Sequence, residues 1–284
     1  MLEPGTLWTR ARAATARALR RGALQRLPTT CEVVEERGVA FLVYVSTQVE
    51  RKERAGEQAE RTARNPFLPW DEDLFVAGLT PTHVCLLNKF PVVELHLLIV
   101  TRAFEEQEAP PSHADLEALA LCLREIDGLG FYNAGAAAGA SQRHRHLQLV
   151  PLPLGPGRAR IPTEALLAAG ELPCEHAWAR LESTGAEALH DVQLRLLGAL
   201  GLDPTAPGPL NLLVTREWML VVPRTREHFG PVSVNALGFA GSLYVRDRSE
   251  LALLRERGPL EALRAVARPA AGARRGPASG PCGS

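Results

Sequence analysis

Residues 139–148 read GASQRHRHLQ, and this stretch decides how the chain is interpreted. A turn of small residues leads directly into His144 and His146, and Gln148 follows two positions later. Because the side chains of an extended strand alternate between two faces, we expect these three to project from one face. The small residues before them leave backbone N–H groups accessible to phosphate oxygens. A histidine beside a phosphate-binding turn can attack phosphorus, so the stretch indicates nucleotidyl transfer.

Two other interpretations of the histidine pair are weaker. Alternate histidines on a strand can share a metal ion, but a third protein ligand is required, and Gln148 is a poor one. None of the five cysteines forms a C-x-x-C pair, which argues against structural zinc, and we therefore predict no metal-binding residues. Alternatively, the histidines simply end a surface strand, but that explanation gives no reason for the small-residue turn directly before them.

The composition is that of a soluble globular protein with 284 residues, 46% hydrophobic and 23% charged, and a formal net charge of zero. A chain of this length can bury a substantial core in one or two domains. The balanced charge gives no indication of a nucleic-acid or membrane partner, and no apolar run is long enough to span a bilayer. Scattered cysteines in an odd number fit a reducing compartment. We therefore predict a cytoplasmic protein, a monomer or small homo-oligomer.

Hydrophobic periodicity predicts an α+β fold with a mainly antiparallel sheet flanked by helices. Residues 6–26 are Arg-rich and carry apolar residues at helical spacing, so we predict an amphipathic surface helix rather than a targeting segment. A second helix is predicted to begin at Ser112, where Asp115 completes a capping-box pattern. Strands are predicted at residues 39–45, 83–87, 95–101 and 147–150.

The C-terminal part is predicted to add helices and a hairpin to this framework. Residues 174–200 have a helical pattern, and residues 249–267 indicate two terminal helices. Residues 211–223 indicate a β-hairpin with Arg216 and Glu217 at its tip. The tail at residues 269–284 is mostly Gly, Pro, Ala and Ser, and it is predicted to be disordered because it has little to pack.

The motif Ser-Gln-x-His-x-His-x-Gln, at residues 141–148, resembles the histidine-triad (HIT-like) superfamily, in the branch of the ATP adenylyltransferases, or diadenosine tetraphosphate phosphorylases. Further segments resemble blocks of the same family in the same order: NPFLP (65–69), LNKFP (87–91), HLLIVT (96–101), FYN (131–133), NLLVTREW (211–218), VPR (222–224) and NALGFAG (235–241). The resemblance implies a HIT-like nucleotidyl-transfer domain at residues 1–170. It also implies a C-terminal ATP adenylyltransferase domain at residues 171–268, whose hairpin and helices complete the structure.

The resemblance also implies roles for individual residues. His146 would be the nucleophile that holds AMP as a phosphoramidate, a role that needs a neutral ring with one bare nitrogen. His144 would fix its orientation, and Gln148 would hold the phosphoryl group. The remaining candidates are substrate-binding residues: Lys52, Asn88, Lys89, Asn133, Gly139, Ala140, Ser141, Gln142, Asn211, Thr215 and Arg224. Lys52 and Lys89 are the only two lysines in the chain.

Gln148 indicates which reaction the family member performs. Histidine-triad hydrolases resemble this chain but have a third histidine at this position, where it can pass a proton to the leaving group. A glutamine forms hydrogen bonds but does not titrate, so it offers water no general acid or base. The resemblance therefore implies phosphorolysis of diadenosine tetraphosphate to ADP and ATP, with phosphate as the acceptor.

Partners and alternatives follow from the same resemblance. Diadenosine polyphosphates, ATP, ADP and phosphate are the expected partners, with no protein-bound cofactor and with Mg²⁺ accompanying the nucleotide. Two alternatives stay open at this point. One is another His-x-His-x-Gln nucleotidylyltransferase, similar to GDP-sugar phosphorylases or galactose-1-phosphate uridylyltransferases. The other is a dinucleotide sensor without turnover.

Overall fold

The computed structural model describes residues 2–46, 65–155 and 160–270. The α-helices in these ranges are α1 (Leu7–Arg21), α2 (His113–Glu125), α3 (Glu164–Ala169), α4 (Ala186–Ala199), α5 (Ala236–Phe239), α6 (Arg248–Arg257) and α7 (Pro259–Val266). The strands are β1 (Thr29–Glu36), β2 (Val39–Ser46), β3 (Phe75–Gly78), β4 (His83–Leu87), β5 (Leu97–Thr101), β6 (Gly128–Ala134), β7 (His146–Pro151), β8 (Ala177–Arg180), β9 (Leu210–Val214), β10 (Trp218–Pro223), β11 (His228–Phe229), β12 (Val232–Ser233) and β13 (Ser242–Val245).

An eight-stranded antiparallel sheet forms the centre of the molecule, in the order β3-β4-β5-β7-β6-β9-β10-β8. The strand that carries the histidine motif, β7, lies between β5 and β6. Val100 is directly opposite His146, and Leu98 is directly opposite Gln148. Across the other neighbour, Phe131 is opposite Gln148. The motif is therefore held on both sides within the sheet.

The alternation of side chains along β7 separates the core from the motif. Leu147 and Leu149 are fully buried in the cluster that packs beneath α1, α2 and α4. His146 and Gln148 alternate with them, so they point to the opposite face of the sheet. Part of that face is covered by a smaller apolar cluster around Phe67. The expected projection of the motif from one face is confirmed for the two residues within β7.

A second, three-stranded sheet packs against the same face as the motif. It has the order β1-β2-β13, and β2 pairs with β13 in parallel, whereas β1 and β2 are antiparallel. Its apolar side chains form one cluster with Leu129, Phe131 and Leu213 of the central sheet. Strands from the last hundred residues complete both sheets, so the predicted α+β architecture with a C-terminal hairpin-and-helix portion is confirmed. The exact division at residue 170 stays a prediction.

Most predicted elements are found where the periodicity placed them. The four residues of α1 that are buried are Leu7, Ala11, Ala14 and Ala18, which have the helical spacing seen in the sequence. Ser112 and Asp115 form a complete capping box at the start of α2. None of the helices within the described ranges combines the length and the apolar composition needed to traverse a bilayer.

The prediction of a continuous helix over residues 174–200 is wrong at its beginning. Ala177–Arg180 is β8, the edge strand that pairs with β10, and the helix begins only at Ala186. Alanine and arginine favour helices, but pairing with β10 brings Ala177 and Ala179 against the core. Tertiary pairing therefore overrides local propensity here. The predicted tail, residues 269–284, lies almost entirely outside the described residues.

Candidate active site

The orientation of the His146 ring is fixed by the backbone of its own strand. Its Nδ1 lies 2.8 Å from the carbonyl oxygen of His144, so Nδ1 carries the proton and donates it. The other ring nitrogen, Nε2, has no hydrogen-bond partner among the described residues. Among the described residues, Gln193 Oε1 is the only side-chain nitrogen or oxygen atom that is both fully buried and without a hydrogen-bond partner. Because Nε2 of His146 also has no partner but is not such an atom, it is not fully buried. Nε2 therefore presents a bare lone pair to the site, as a nucleophile requires.

The environment of His146 keeps its ring neutral. The side chain is only 5% exposed. Burial lowers the pKa of His146 to about 4, since the hydrogen bond to the His144 carbonyl only partly offsets the loss of water and the charge of His144 acts in the same direction as burial. At neutral pH the ring is thus unprotonated at Nε2.

His144 lies just before β7 and connects the motif to the loop at residues 65–70. Its Nδ1 accepts a hydrogen bond from Asn65 Nδ2 at 2.8 Å, and its Nε2 donates to the carbonyl oxygen of Thr101 at 2.8 Å. Asn65 Oδ1 is engaged by the backbone N–H of Phe67, which fixes the direction of the amide. The Phe67 ring packs against both imidazoles, at 5.5 Å from His144 and 5.2 Å from His146. His144 therefore positions the backbone carbonyl that in turn holds His146.

Gln148 completes the row of motif side chains and is partly exposed to the site. Its Oε1 lies 2.9 Å from Nε2 of His96, in the segment before β5. The other ring nitrogen of His96 is 3.2 Å from Asn88 Nδ2, and Asn88 Oδ1 accepts the backbone N–H of Phe90. Asn88 thus lies beside the motif as the resemblance implies, with its amide directed at His96.

The small-residue turn before the motif uses some of its own N–H groups. The N–H of Gly139 donates to Ala136 at 2.8 Å, and the N–H of Ala140 donates to Gly135 at 3.2 Å. The backbone N–H groups of Ser141 and Gln142 have no partner within the described ranges, so they are the ones available to an anion. Gly139 has a φ of +86°, and a Cβ there would lie 2.8 Å from Cβ of Asn235. Glycine is required for this turn to pack so closely.

The chain matches two family models that together cover nearly all of it. Residues 1–169 match the Ap4A phosphorylase N-terminal domain, and residues 170–269 match the ATP adenylyltransferase C-terminal domain. The chain belongs to the Ap4A phosphorylase family.

Individual relatives agree with this membership. Diadenosine 5',5'''-P1,P4-tetraphosphate phosphorylase 2 of Saccharomyces cerevisiae is 29% identical in an alignment of 250 residues that covers 72% of this chain and 76% of the relative. The crystal structure of yeast Ap4A phosphorylase Apa2 superimposes with a TM-score of 0.79 at 23% identity, covering 97% of this chain and 98% of that one. Its complex with Ap4A gives a TM-score of 0.80 at 24% identity, covering 95% and 99%. The predicted α+β fold is therefore confirmed, and it is the fold of yeast Ap4A phosphorylase Apa2.

Three of the predicted binding residues form a buried polar network in this Ap4A phosphorylase family member. Asn211 donates to Asn133 Oδ1 at 2.8 Å and accepts from Arg224. Arg224, only 5% exposed, also donates to the carbonyl oxygens of Ala138 and Val234. Asn211 and Arg224 therefore hold the small-residue turn against the segment that contains Val234. Asn133 Nδ2 has no partner among the described residues, so it is the part of this network that is free to contact a ligand.

The structure separates the other predicted binding residues. Thr215 lies at the tip of the β9–β10 hairpin, beyond the end of β9 that is distant from the motif, and its hydroxyl accepts the N–H groups of Glu217 and Trp218. The structure therefore does not bring Thr215 to His146. Lys89 is exposed, with its Nζ 5.7 Å from the centre of the Phe90 ring. Lys52 lies outside the described residues.

Sequence reasoning missed Gln107, a side chain that supports the motif from within. Gln107 accepts the backbone N–H of His146 at 2.8 Å, and its amide donates to the carbonyl oxygens of His146 and Asn133. It thereby fastens β6 and β7 together at His146. Gln107 stands in an irregular loop without periodicity, so nothing local in the sequence distinguishes it.

A buried ion network lies beneath the motif and was also missed. Arg145 lies between the two histidines and pairs with Asp115 at 3.3 Å and Glu105 at 2.9 Å. His83 donates to the other oxygen of Asp115 at 2.9 Å. Burial raises the pKa of Asp115, but hydrogen bonds from His83 and Ser112 outweigh it and hold the pKa below its ordinary value. Asp115, which completes the capping box of α2, therefore also anchors the motif through Arg145.

Metal binding receives no support from side-chain grouping in residues 2–46, 65–155 and 160–270. No group of three His, Cys, Asp or Glu side chains in these ranges is placed to hold a metal ion. Two of the other histidines have polar partners of their own: His96 is hydrogen-bonded to Gln148, and His83 is hydrogen-bonded to Asp115.

Proposed function

We propose that this protein catalyses the reversible phosphorolysis of diadenosine tetraphosphate to ADP and ATP, through AMP bound covalently to His146. Membership of the Ap4A phosphorylase family supports the substrate, as do a yeast relative named for this activity and a solved structure of Apa2 with Ap4A. The observation that carries the mechanism is the hydrogen bond from Nδ1 of His146 to the His144 carbonyl. It leaves Nε2 as the unprotonated nitrogen facing the site.

The first step forms a bond between Nε2 and the α-phosphorus of one adenosine. The bond from that phosphorus to the bridging oxygen breaks, and ATP leaves with the electron pair. In the second step an oxygen of inorganic phosphate attacks the same phosphorus, the P–N bond breaks, and ADP is released. Because a phosphoramidate retains much of the transfer potential of the anhydride, both steps are reversible.

The phosphates are bound by groups that lie beside His146. The free N–H groups of Ser141 and Gln142 and the amide of Gln148 are donors of the kind that stabilise charge on a transferring phosphoryl group. We assign the adjacent ribose or phosphate contact to Asn133 Nδ2. Lys89 and Lys52 remain candidates for the outer phosphates. Mg²⁺ enters with the polyphosphate, where it neutralises part of the charge.

Product analysis tests the proposed reaction. The protein is incubated with diadenosine tetraphosphate and phosphate, and the products are followed by ³¹P NMR. ADP and ATP in equal amounts are the expected result, and their appearance should require phosphate. Parallel incubations use a GDP-sugar with phosphate, and UDP-glucose with galactose 1-phosphate. Faster turnover of either would overturn the assignment in favour of the corresponding transferase, and tight binding without any product would identify a sensor.

The low pKa of His146 predicts the pH dependence of the first step. The neutral ring is the reactive form, so the rate of adenylyl transfer should decline only as the pH approaches about 4, the value to which burial lowers this pKa. A single turnover with dinucleotide alone avoids the titration of inorganic phosphate. An acid limb centred near the ordinary histidine value of about 6.5 would contradict this environment for the ring.

The lowered pKa of His146 also makes the stability of the fold depend on pH, and this dependence must be measured in parallel. Between about 4 and the unfolded value of about 6.5, the unfolded chain binds more protons at His146 than the folded chain does. Stability therefore falls as the pH is lowered through this window, and the contribution is constant above it. Circular dichroism across the same pH range separates loss of fold from loss of the reactive form.

A further inference from the structure

The amide of Gln148 has two ends of nearly the same shape, one a donor and one an acceptor. Only the NH₂ end can donate to phosphoryl oxygens, so the function of this residue depends on which way the amide faces. Nothing in the side chain itself decides this. The direction of the amide is decided by a series of hydrogen bonds that begins at the backbone of Phe90 and ends at Gln148.

The first hydrogen bonds of this series fix the tautomer of His96. The N–H of Phe90 donates to Asn88 Oδ1 at 3.0 Å, so the NH₂ group of Asn88 is the end directed at His96. That group lies 3.2 Å from Nδ1 of His96, and because it is a donor, Nδ1 must accept. The neutral ring of His96 then carries its proton on Nε2.

The second part fixes the direction of Gln148. Nε2–H of His96 donates to Oε1 of Gln148 at 2.9 Å, which engages the acceptor end of the amide. The His96 side chain is only 8% exposed and its ring packs against Phe131, with 5.8 Å between ring centres. Phe131 and Leu98 lie on β6 and β5, directly opposite Gln148. The donor and the amide are thus held in place before any ligand arrives.

We propose that His96, oriented by Asn88, is a positioning residue that holds the Gln148 amide with its NH₂ group toward the transferring phosphoryl group. The inference rests on the proposed function and deepens it, since it assigns His96 no contact with substrate. A reversed amide would direct a carbonyl oxygen at phosphoryl oxygens and repel them. Donors oriented in advance cost no reorganisation during the reaction, which is the usual source of catalytic stabilisation by dipoles.

A pair of substitutions at one position tests the proposal. His96→Leu keeps an apolar side chain of similar bulk but removes the donor, whereas His96→Gln retains an N–H donor at a similar reach. We expect His96→Leu to lower kcat for phosphorolysis by about 10- to 100-fold with little change in KM, as for a misplaced transition-state contact. His96→Gln should restore kcat to within about threefold of the unsubstituted protein. Equal kcat values for the two variants would overturn the proposal.

A double-mutant cycle with Gln148→Ala distinguishes positioning from a general loss of packing. If His96 acts through Gln148, His96→Leu should have almost no further effect on kcat once the amide is absent. If the two effects multiply independently, His96 does not act through Gln148 and the proposal fails. Melting temperatures of all variants establish that the comparison is made between folded proteins.

His176 offers a matched control within the same chain. It is partly buried, and its Nδ1 is 2.9 Å from the carbonyl oxygen of Cys174, distant in sequence from the motif. The Leu and Gln substitutions at His176 should leave kcat and KM unchanged. Failure of the proposed function is recognised separately, because the unsubstituted protein would then form no ADP and ATP. Failure of this inference leaves that activity intact and abolishes only the difference between the His96 variants.

Discussion

Replacing His146 with alanine should abolish the formation of protein-bound AMP and lower kcat for phosphorolysis by about 10⁴-fold or more, as the loss of a nucleophile does in other enzymes. The structure gives the physical reason. Nδ1 is held by the His144 carbonyl, Nε2 is bare, and burial lowers the pKa to about 4, so the ring is a ready nucleophile at neutral pH. Alanine removes Nε2, the atom that bonds to phosphorus in the proposed first step.

The measurement is direct trapping of the intermediate. Protein and adenine-labelled diadenosine tetraphosphate are mixed without phosphate, and the denatured protein is examined for bound AMP. The adduct should be labile in acid and stable in base, as expected for a phosphoramidate. The His146→Ala variant should still bind the dinucleotide, which calorimetry can verify, because Ser141 and Gln142 retain their free N–H groups. His176→Ala, which alters a histidine outside the motif, should form the adduct normally.

Either of two outcomes would remove the mechanism. If His146→Ala still accumulates bound AMP, another side chain is the nucleophile, and the bare Nε2 has a different purpose. If the unsubstituted protein accumulates none under any condition, direct attack by phosphate replaces the covalent route. Products would then still be ADP and ATP, so the family assignment would survive the loss of the intermediate.

Local patterns predicted much of the framework. The spacing of Leu7, Ala11, Ala14 and Ala18 places α1 correctly, because a helix exposes its periodicity within one segment. The pairing of Ser112 with Asp115 likewise predicts the start of α2. For the motif, alternation along one strand was sufficient to place His146 and Gln148 on one face, away from Leu147 and Leu149.

What the sequence did not predict depends on contacts between distant segments. β8 was mistaken for helix because its strand character comes from pairing with β10. Gln107 reaches His146 across 39 residues of sequence, and His96 reaches Gln148 across 52. Nothing in the sequence around Gln107 or His96 indicates that these side chains make such contacts. The predicted role of Asn88 illustrates the same point, since its position beside the motif was implied while its bond to His96 was not.

Asn211 and Arg224 lie in the predicted neighbourhood of the motif, whereas their contact with substrate stays a prediction. Both were expected to bind substrate, and both lie next to the small-residue turn. Their polar groups are used to hold that turn, because a buried guanidinium must have its donors satisfied within the protein. A residue type alone does not distinguish an arginine that binds phosphate from one that supports a neighbouring loop.

Replacing Gln148 with histidine should raise the ratio of hydrolysis to phosphorolysis by about tenfold or more, within the range that general acid–base catalysis supplies. Phosphate arrives already ionised and needs no base, whereas water must lose a proton as it attacks. The imidazole introduced at position 148 can give a proton to the departing ATP in the first step and then accept the proton that water loses in the second, whereas glutamine can do neither.

The ratio is measured by incubating labelled dinucleotide with and without phosphate and comparing AMP with ADP among the products. Gln148→Ala is the necessary control, because it removes the amide without adding a titratable group. It should slow both reactions and leave the ratio where it is. An unchanged ratio in Gln148→His would show that water is excluded by something other than the missing proton relay, such as restricted access to the phosphorus. A changed ratio would instead attribute the choice between water and phosphate to the chemistry of position 148 itself.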